Sequence, residues 1–398
     1  MKKIGLFLSA RADEGGMFQY SQAVLAALLI LPPDQYSLTI AYAAPVWREH
    51  LTNDVYSSLP LHLGKLTNWL TMIPAFLPVS SHRRWDRSFV TQISGWADDL
   101  SQQACDLWVF PRQEVWSALF PHPVLAAVHD LMHRYEPHFP ETSSFGRSRY
   151  RDAYLHSLCQ NAGGILVDSE MGRRHVEESY GTRPERLFVL PYIAPAYLAV
   201  AKERELQDDV ECRFQLPPKY VFYPAQFWKH KNHLRLIQAM AHLKKIVPDV
   251  CLVLAGSKKH GYQTLLREVE RLGLEGRVRF AGYVPETEMA EFYRRARALI
   301  LPTLFGPTNI PPLEAFALGC PVAVSGIYGM PEQVGEAGIL FDPYSVEDIA
   351  GSIRRLWIDD ELCQHLRDKG KARAGAWGPA EFANRLHGIV RQLTHGNN

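Results

Sequence analysis

The residues best placed to do chemistry lie between Pro302 and Pro321, in PTLFGPTNIPPLEAFALGCP. Apolar Ala298–Pro302 reads as a buried strand and Phe305–Ile310 as a loop of small and turn-forming residues. Pro311-Pro312 then open a helix that carries Glu314. A first helical turn has backbone N–H groups without intrahelical partners, and with the helix dipole these suit a phosphate or a sugar hydroxyl. Glu314 lies inside that turn, within reach of a polar ligand docked there. The alternative is an ordinary strand-to-helix connection whose carboxylate complements the dipole. A second polar stretch, Phe222–His233 (FYPAQFWKHKNH), also follows a strand. It is either a ligand-facing loop or a basic loop over a surface helix, and Asn232 either caps the next helix or touches ligand. Glu14-Gly15-Gly16 fits a tight turn after the opening strand. His129 and Asp130 stand at the carboxyl end of a strand, where open α/β sheets bind ligands. The alternative for His129 is a buried ring with a satisfied N–H.

The first stretch resembles the donor-site signature of family 4 glycosyltransferases, retaining enzymes of GT-B fold. That signature is Glu, seven residues, Glu, in a pattern close to E-G-F-G-L-P-P-L-E-A. Here the Pro-Pro-Leu-Glu-Ala core is intact, Glu314 takes the second glutamate, and Gly306 replaces the first. The resemblance implies ribose recognition by Glu314 and passes the donor-sugar contact from Gly306 to Thr308 and Asn309, while the N–H groups near Thr308–Ile310 join Lys231 as candidates for stabilising the departing diphosphate. Phe222–His233 is similar to the family loop in which arginine, then lysine five residues on, reach the donor diphosphate. Lys231 holds the lysine position, and Gln226 stands where arginine is expected. One cation with backbone donors still binds a diphosphate, without the planar bidentate guanidinium. Gly282-Tyr283-Val284 is similar to the loop that holds the nucleotide base, and Gly15-Gly16 to the loop that approaches the donor phosphates and acceptor. His129 matches a family histidine near the transferred sugar, with Asp130 beside it. Ser169-Glu170 resembles a further landmark, usually structural.

What the resemblance implies is transfer of a hexosyl unit from a nucleotide diphosphate sugar to a glycan or lipid-linked saccharide, with no further cofactor. A GDP-linked mannosyl donor is favoured, because the Gly-Pro-Thr-Asn variant is similar to mannosyl- and rhamnosyl-transferring relatives. With no obvious covalent nucleophile, retention implies front-face substitution through an oxocarbenium-like transition state. Lys231, His129 and Asp130 are then the catalytic candidates. No Asp-x-Asp motif is present, and the expectation is chelator-resistant activity with no bound metal. Two other readings stay open: a GT-B nucleotide-sugar epimerase or phosphorylase, and a non-catalytic scaffold, given Gly306 and Gln226.

Positioning these residues takes two sheets. Short apolar runs recur at Lys3–Leu8, Tyr36–Ala44, Asp106–Phe110, Leu125–His129, Gly164–Asp168 and Leu187–Pro191. They recur again at Tyr220–Tyr223, Val250–Ala255, Val278–Gly282, Ala298–Pro302 and Pro321–Ser325. Helical patterns lie between them, as in Tyr262–Leu274 with Leu265, Val269 and Leu272 on one face. Continuous apolar strands suit parallel sheets covered on both faces. The expected fold is α/β, GT-B, with two doubly wound Rossmann-like domains facing across a cleft that holds the site. The acceptor-side domain is expected over 1–195 and the nucleotide-sugar domain over 196–376, with a helix at 377–398 crossing back. Polar Ala201–Glu211 lies within the boundary region, Pro191–Pro218.

Size and composition fit that plan: 398 residues, 47% apolar and 21% charged, allow two ordinary globular cores. A net charge of +1, from 43 basic and 42 acidic side chains, argues against a nucleic-acid binder working through a global positive field and leaves a local basic patch open. Six scattered cysteines without a C-x-x-C pair read as reduced thiols in a cytoplasmic protein. The opening MKKIGLFLSARADEGG reads as a first strand, its apolar run of about six residues being shorter than a secretory h-region. Leu66–Arg87 joins Trp69, Ile73 and Phe76 to a basic end at Arg83, Arg84 and Arg87. It is either a peripheral contact with anionic lipid at the inner face of the cytoplasmic membrane or a helix-loop packed on the acceptor side.

Overall fold

In a computed structural model, residues 1–51, 56–61, 95–143, 147–202, 208–258 and 261–396 are described. Leu66–Arg87 lies outside them. The chain divides into two compact units, one of Met1–His138, Thr142–Tyr192 and Pro379–Asn398, the other of Phe139–Glu141 and Ile193–Gly378.

The first unit holds seven parallel strands in the order β3-β2-β1-β4-β5-β6-β7. They are β1 Lys2–Leu8, β2 Tyr36–Tyr42, β3 Ser57–Pro60, β4 Leu107–Phe110, β5 Val124–Ala127, β6 Gly164–Val167 and β7 Leu187–Val189. Strands β4, β5 and β6 are buried at every residue, so both faces of the sheet are covered. Register is set by pairs such as Ile4 with Leu38 and with Leu107. The chain winds outward from β1 on both sides, which puts the topological switch between β1 and β4. The helix Pro379–His395 belongs to this unit and packs on the helix Gly16–Leu29. Phe382, Leu386 and Val390 are fully buried, Phe382 sets its ring edge-on 6.0 Å from that of Tyr20, and the His387 ring lies 2.6 Å from the Ala27 carbonyl.

The second unit holds six parallel strands in the order β10-β9-β8-β11-β12-β13. These are β8 Val221–Pro224, β9 Leu252–Ala255, β10 Val278–Gly282, β11 Ala298–Leu301, β12 Val322–Ser325 and β13 Gly338–Phe341. Its switch lies between β8 and β11, which pair through Ala298–Val221 and Leu299–Phe222. A core of Tyr220, Phe222, Tyr223, Phe292, Tyr293 and Phe316 fills the space between sheet and helices.

Two parallel-sheet α/β units are the architecture expected of this chain. The pattern did not foresee β3 or β13. β3 is a half-polar edge strand (SSLP) with three exposed residues, and β13 (GILF) buries only alternate positions. Neither offers the continuous apolar run of a doubly covered strand. Among the described residues no helix is long and apolar enough to cross a membrane.

Truncating Phe382 removes an aromatic ring with no exposed surface. Phe382→Ala is expected to cost the first unit ~3–5 kcal/mol in denaturant unfolding, and a cost within experimental error would show that the helix contributes little to its core.

Candidate active site

In the second unit, the loops leaving the carboxyl ends of β8 and β11 bring together most of the residues picked out above. After Pro224 the chain passes Gln226 and Trp228, makes a tight turn at Lys229–Lys231, and enters the helix His233–Leu243 through Asn232. Gly256 after β9 lets this loop pass close by: a Cβ there would sit 2.3 Å from the Ala225 carbonyl oxygen. Asn232 adopts the left-handed conformation at φ 59° and caps nothing with its side chain. Its Nδ2 instead donates to the carbonyls of Pro302 at 3.0 Å and Pro343 at 2.7 Å, tying the β8 loop to the β11 loop. The Leu304 N–H adds a backbone bond to the His230 carbonyl at 2.8 Å, and the rings of His230 and Phe305 stack 3.7 Å apart.

Lys231 and Asn309 meet across this junction, with Nζ 3.3 Å from Oδ1. Gln226 is turned away from such work, its Oε1 accepting from the Trp228 indole at 2.9 Å. The Lys229 amide is also occupied, donating to the Glu141 carboxylate at 2.6 Å. Burial works against that charge. The His230 ring and the neighbouring N–H groups outweigh it and bring the Glu141 pKa down to about 2.

The start of the Pro311–Leu318 helix differs from the sequence expectation. Pro311 and Pro312 have no N–H, and the amides of Leu313 and Glu314 both donate to the Ile310 carbonyl, at 2.8 and 3.2 Å. The Asn309 N–H donates to Gln333 at 3.1 Å. The amides of Asn309, Leu313 and Glu314 are therefore spent within the loop and first turn, and the paired prolines contribute none, since proline removes a donor as well as starting a helix. Half-buried Thr308 lies beside Asn309 on the same loop. Gly306 sits at φ 106°, which L side chains rarely adopt, so this loop path would strain a glutamate at that position.

Glu314 is buried, and tyrosines reach both its carboxylate oxygens: Tyr197 at 2.7 Å on Oε1 and Tyr293 at 2.5 Å on Oε2. Burial raises its pKa, and the two phenols hold the rise back. Tyr283 leaves edge strand β10 with its ring well exposed, whereas Val284 is a core residue whose side chain offers nothing to a ligand.

The first unit places its candidates along the ends of β1, β4 and β5. Gly15, at φ 57°, precedes Gly16, the first residue of the helix Gly16–Leu29. The His129 ring is used up: Nε2 lies 2.8 Å from the Pro111 carbonyl and so carries the proton, and Nδ1 lies 2.8 Å from the Tyr192 hydroxyl. Burial pulls its pKa down to about 4, leaving a neutral ring with no open nitrogen. That matches the buried-ring alternative and removes the side-chain route to a sugar hydroxyl. Burial also opposes the charge of Asp130, but Arg151 at 2.8 Å and the Met132 N–H outweigh it and hold the carboxylate below its usual range, a weak base.

Sequence reasoning passed over a network beside these residues. Ser9 donates to Glu114 Oε2 at 2.6 Å, and Arg112 joins Glu114 at 3.3 Å to Glu14 at 2.8 Å. Glu114 is buried, its Oε1 has no partner among the described residues, and burial pushes its pKa up to about 7 against the pull of Arg112. Only its position at the β1–β4 switch could have signalled it. Tyr197, Tyr293 and Gln333 were passed over as well. Among the described residues no three His, Cys, Asp or Glu side chains group to hold a metal ion.

Residues 207–373 match the family model "Glycosyl transferases group 1". The chain is 29% identical over 242 residues to the O-antigen chain mannosyltransferase B of Escherichia coli, covering 59% of this chain and 62% of that one. It is 22% identical over 284 residues to the serotype-specific mannosyltransferase WbdA of E. coli, a match covering 69% of this chain and 34% of the relative. HepE of Anabaena, solved in complex with UDP-glucose, superposes with a TM-score of 0.71 at 17% identity, covering 98% of this chain and 99% of that one. At that identity the likeness shows the fold alone.

Glu114 makes the first unit sensitive to pH. A carboxyl whose pKa rises on folding, from 4.5 to about 7, contributes stability that is complete below pH 4.5 and lost as pH rises through 7. In Glu114→Gln that component of the pH dependence, about 3 kcal/mol, should vanish from denaturant titrations run between pH 4.5 and 8, and an unchanged slope would place the proton elsewhere.

Proposed function

From residues 207–373, which match the glycosyl transferases group 1 model, we propose that the chain transfers a hexosyl unit, mannosyl in preference, from a nucleotide diphosphate sugar. The acceptor is a glycan or a lipid-linked saccharide. The observation that carries the reading is the junction of the β8 and β11 loops at the switch of the second sheet. It sets the Lys231 ammonium 3.3 Å from Asn309, with Glu314 buried on the helix that follows. Two mannosyltransferase relatives favour mannose, and a solved neighbour that held UDP-glucose favours a nucleotide-linked donor.

On this reading the bond from the anomeric carbon to the diphosphate oxygen breaks as the acceptor oxygen bonds to the same face. The acceptor proton passes to the leaving diphosphate. Charge builds on that diphosphate, and a fixed cation stabilises it most when it is already in place. Lys231 supplies the cation, exchanging a neutral amide oxygen for phosphate. Glu314 faces the ribose, where its tyrosine pair sets the orientation of the carboxylate. Tyr283, with its ring exposed, covers the base. No metal ion takes part in this scheme, and positioning carries the remainder of the rate.

Slow hydrolysis of a panel of nucleotide sugars identifies the donor without knowledge of the acceptor. With that donor saturating, Lys231→Ala is expected to slow turnover about 10²–10³-fold while unfolding like the wild type. Equal turnover by the two proteins would remove the lysine from the mechanism.

A further inference from the structure

A polar loop keeps one conformation only when the backbone groups it carries are bound. Asn309 meets that requirement through one short helix and one lysine. Its N–H donates to Gln333 Oε1 at 3.1 Å, and its carbonyl accepts from Gln333 Nε2 at 2.6 Å. Its Nδ2 lies 3.4 Å from the Met330 sulfur, so the helix Met330–Val334 holds three of its four polar groups. The fourth, Oδ1, receives the Lys231 ammonium at 3.3 Å. The Gln333 carboxamide thus clips one residue at both of its backbone polar groups, as a neighbouring strand would, and fixes the dihedral angles that aim the Asn309 side chain. A carboxamide presents a donor and an acceptor side by side in one plane at any ordinary pH, as a carboxyl does only when protonated.

We propose that Gln333 is a positioning residue: by clipping the backbone of Asn309 it holds the side-chain carbonyl on which the Lys231 ammonium rests. Gln333 has no contact with donor or acceptor in this scheme. It acts through Asn309, so that the ammonium stands ready before the diphosphate arrives and the loop does not reorganise during transfer. The consequence for catalysis rests on the diphosphate reading of Lys231, whereas the positioning of Lys231 can be tested without it.

Gln333→Met keeps the length of the side chain and loses both bonds, and Gln333→Asn is one methylene too short to make both. Brief acetylation of the intact protein with acetic anhydride, read lysine by lysine by mass spectrometry, reports how tightly each ammonium is held. In both variants the Lys231 rate should rise about threefold or more, the loss expected for a weakened hydrogen bond, while Lys219, bonded to the Trp357 carbonyl, and Lys258, over the Tyr262 ring, keep their rates. An unchanged Lys231 rate in both variants, or an equal rise at all three lysines, overturns the proposal. Calorimetry with GDP and UDP on the same proteins and on Lys231→Ala separates the two ideas. Weakening of about tenfold in Lys231→Ala and in Gln333→Met supports both. Wild-type binding by Lys231→Ala sinks the diphosphate reading, and the labelling rates still decide the role of Gln333.

Discussion

Strands β8 and β11 are neighbours in the sheet although Phe222 and Leu299 are far apart in the chain, and their pairing is the constraint on which the second unit depends. Parallel neighbours release their loops at the same sheet edge, so the two polar stretches emerge side by side. The chain then fastens them: Asn232 bonds to Pro302 and Pro343, and Leu304 bonds to His230. The Lys231–Asn309 contact follows from that fastening rather than from attraction between the two side chains, since an ammonium gains little from an amide it could replace with water.

Charge is handled differently at the two sheet edges. The second unit buries Glu314 and satisfies it with phenols, without any cation among the hydrogen-bond partners seen for its carboxylate. A carboxylate so placed costs desolvation, and hydrogen bonds offset part of it. The first unit buries Glu114 beside Arg112, which Glu14 also shares, and leaves one carboxylate oxygen unpartnered among the described residues. His129 stays neutral because its ring is buried with both nitrogens engaged. The first edge therefore engages its residues through internal polar contacts, and the second sets the Lys231 ammonium against a neutral amide oxygen.

The doubly covered strands were legible in the sequence because burial on both faces leaves an unbroken apolar run, as in LWVF, VLAA and ALIL. The resemblance to the glycosyltransferase signature was legible because Pro-Pro-Leu-Glu-Ala is contiguous. Tyr197 and Tyr293 were not: they reach Glu314 across 117 and 21 residues, and no spacing rule links a phenol to a distant carboxylate. Gln333 reaches back 24 residues to a backbone, which leaves no trace in residue type at the other end. The open amides expected at the helix start failed for a local reason. Proline marks a helix start well, but two in succession remove two donors, and the Ile310 carbonyl takes the next two.

The central claim is that the Lys231 ammonium exchanges the Asn309 oxygen for a diphosphate. Crystals soaked with GDP or UDP test it most directly. The account predicts a phosphate oxygen within hydrogen-bond distance of Lys231 Nζ, with Asn309 still clipped by Gln333. Nucleotide bound with its phosphates away from the β8 and β11 loops, and Lys231 still resting on Asn309, would contradict it.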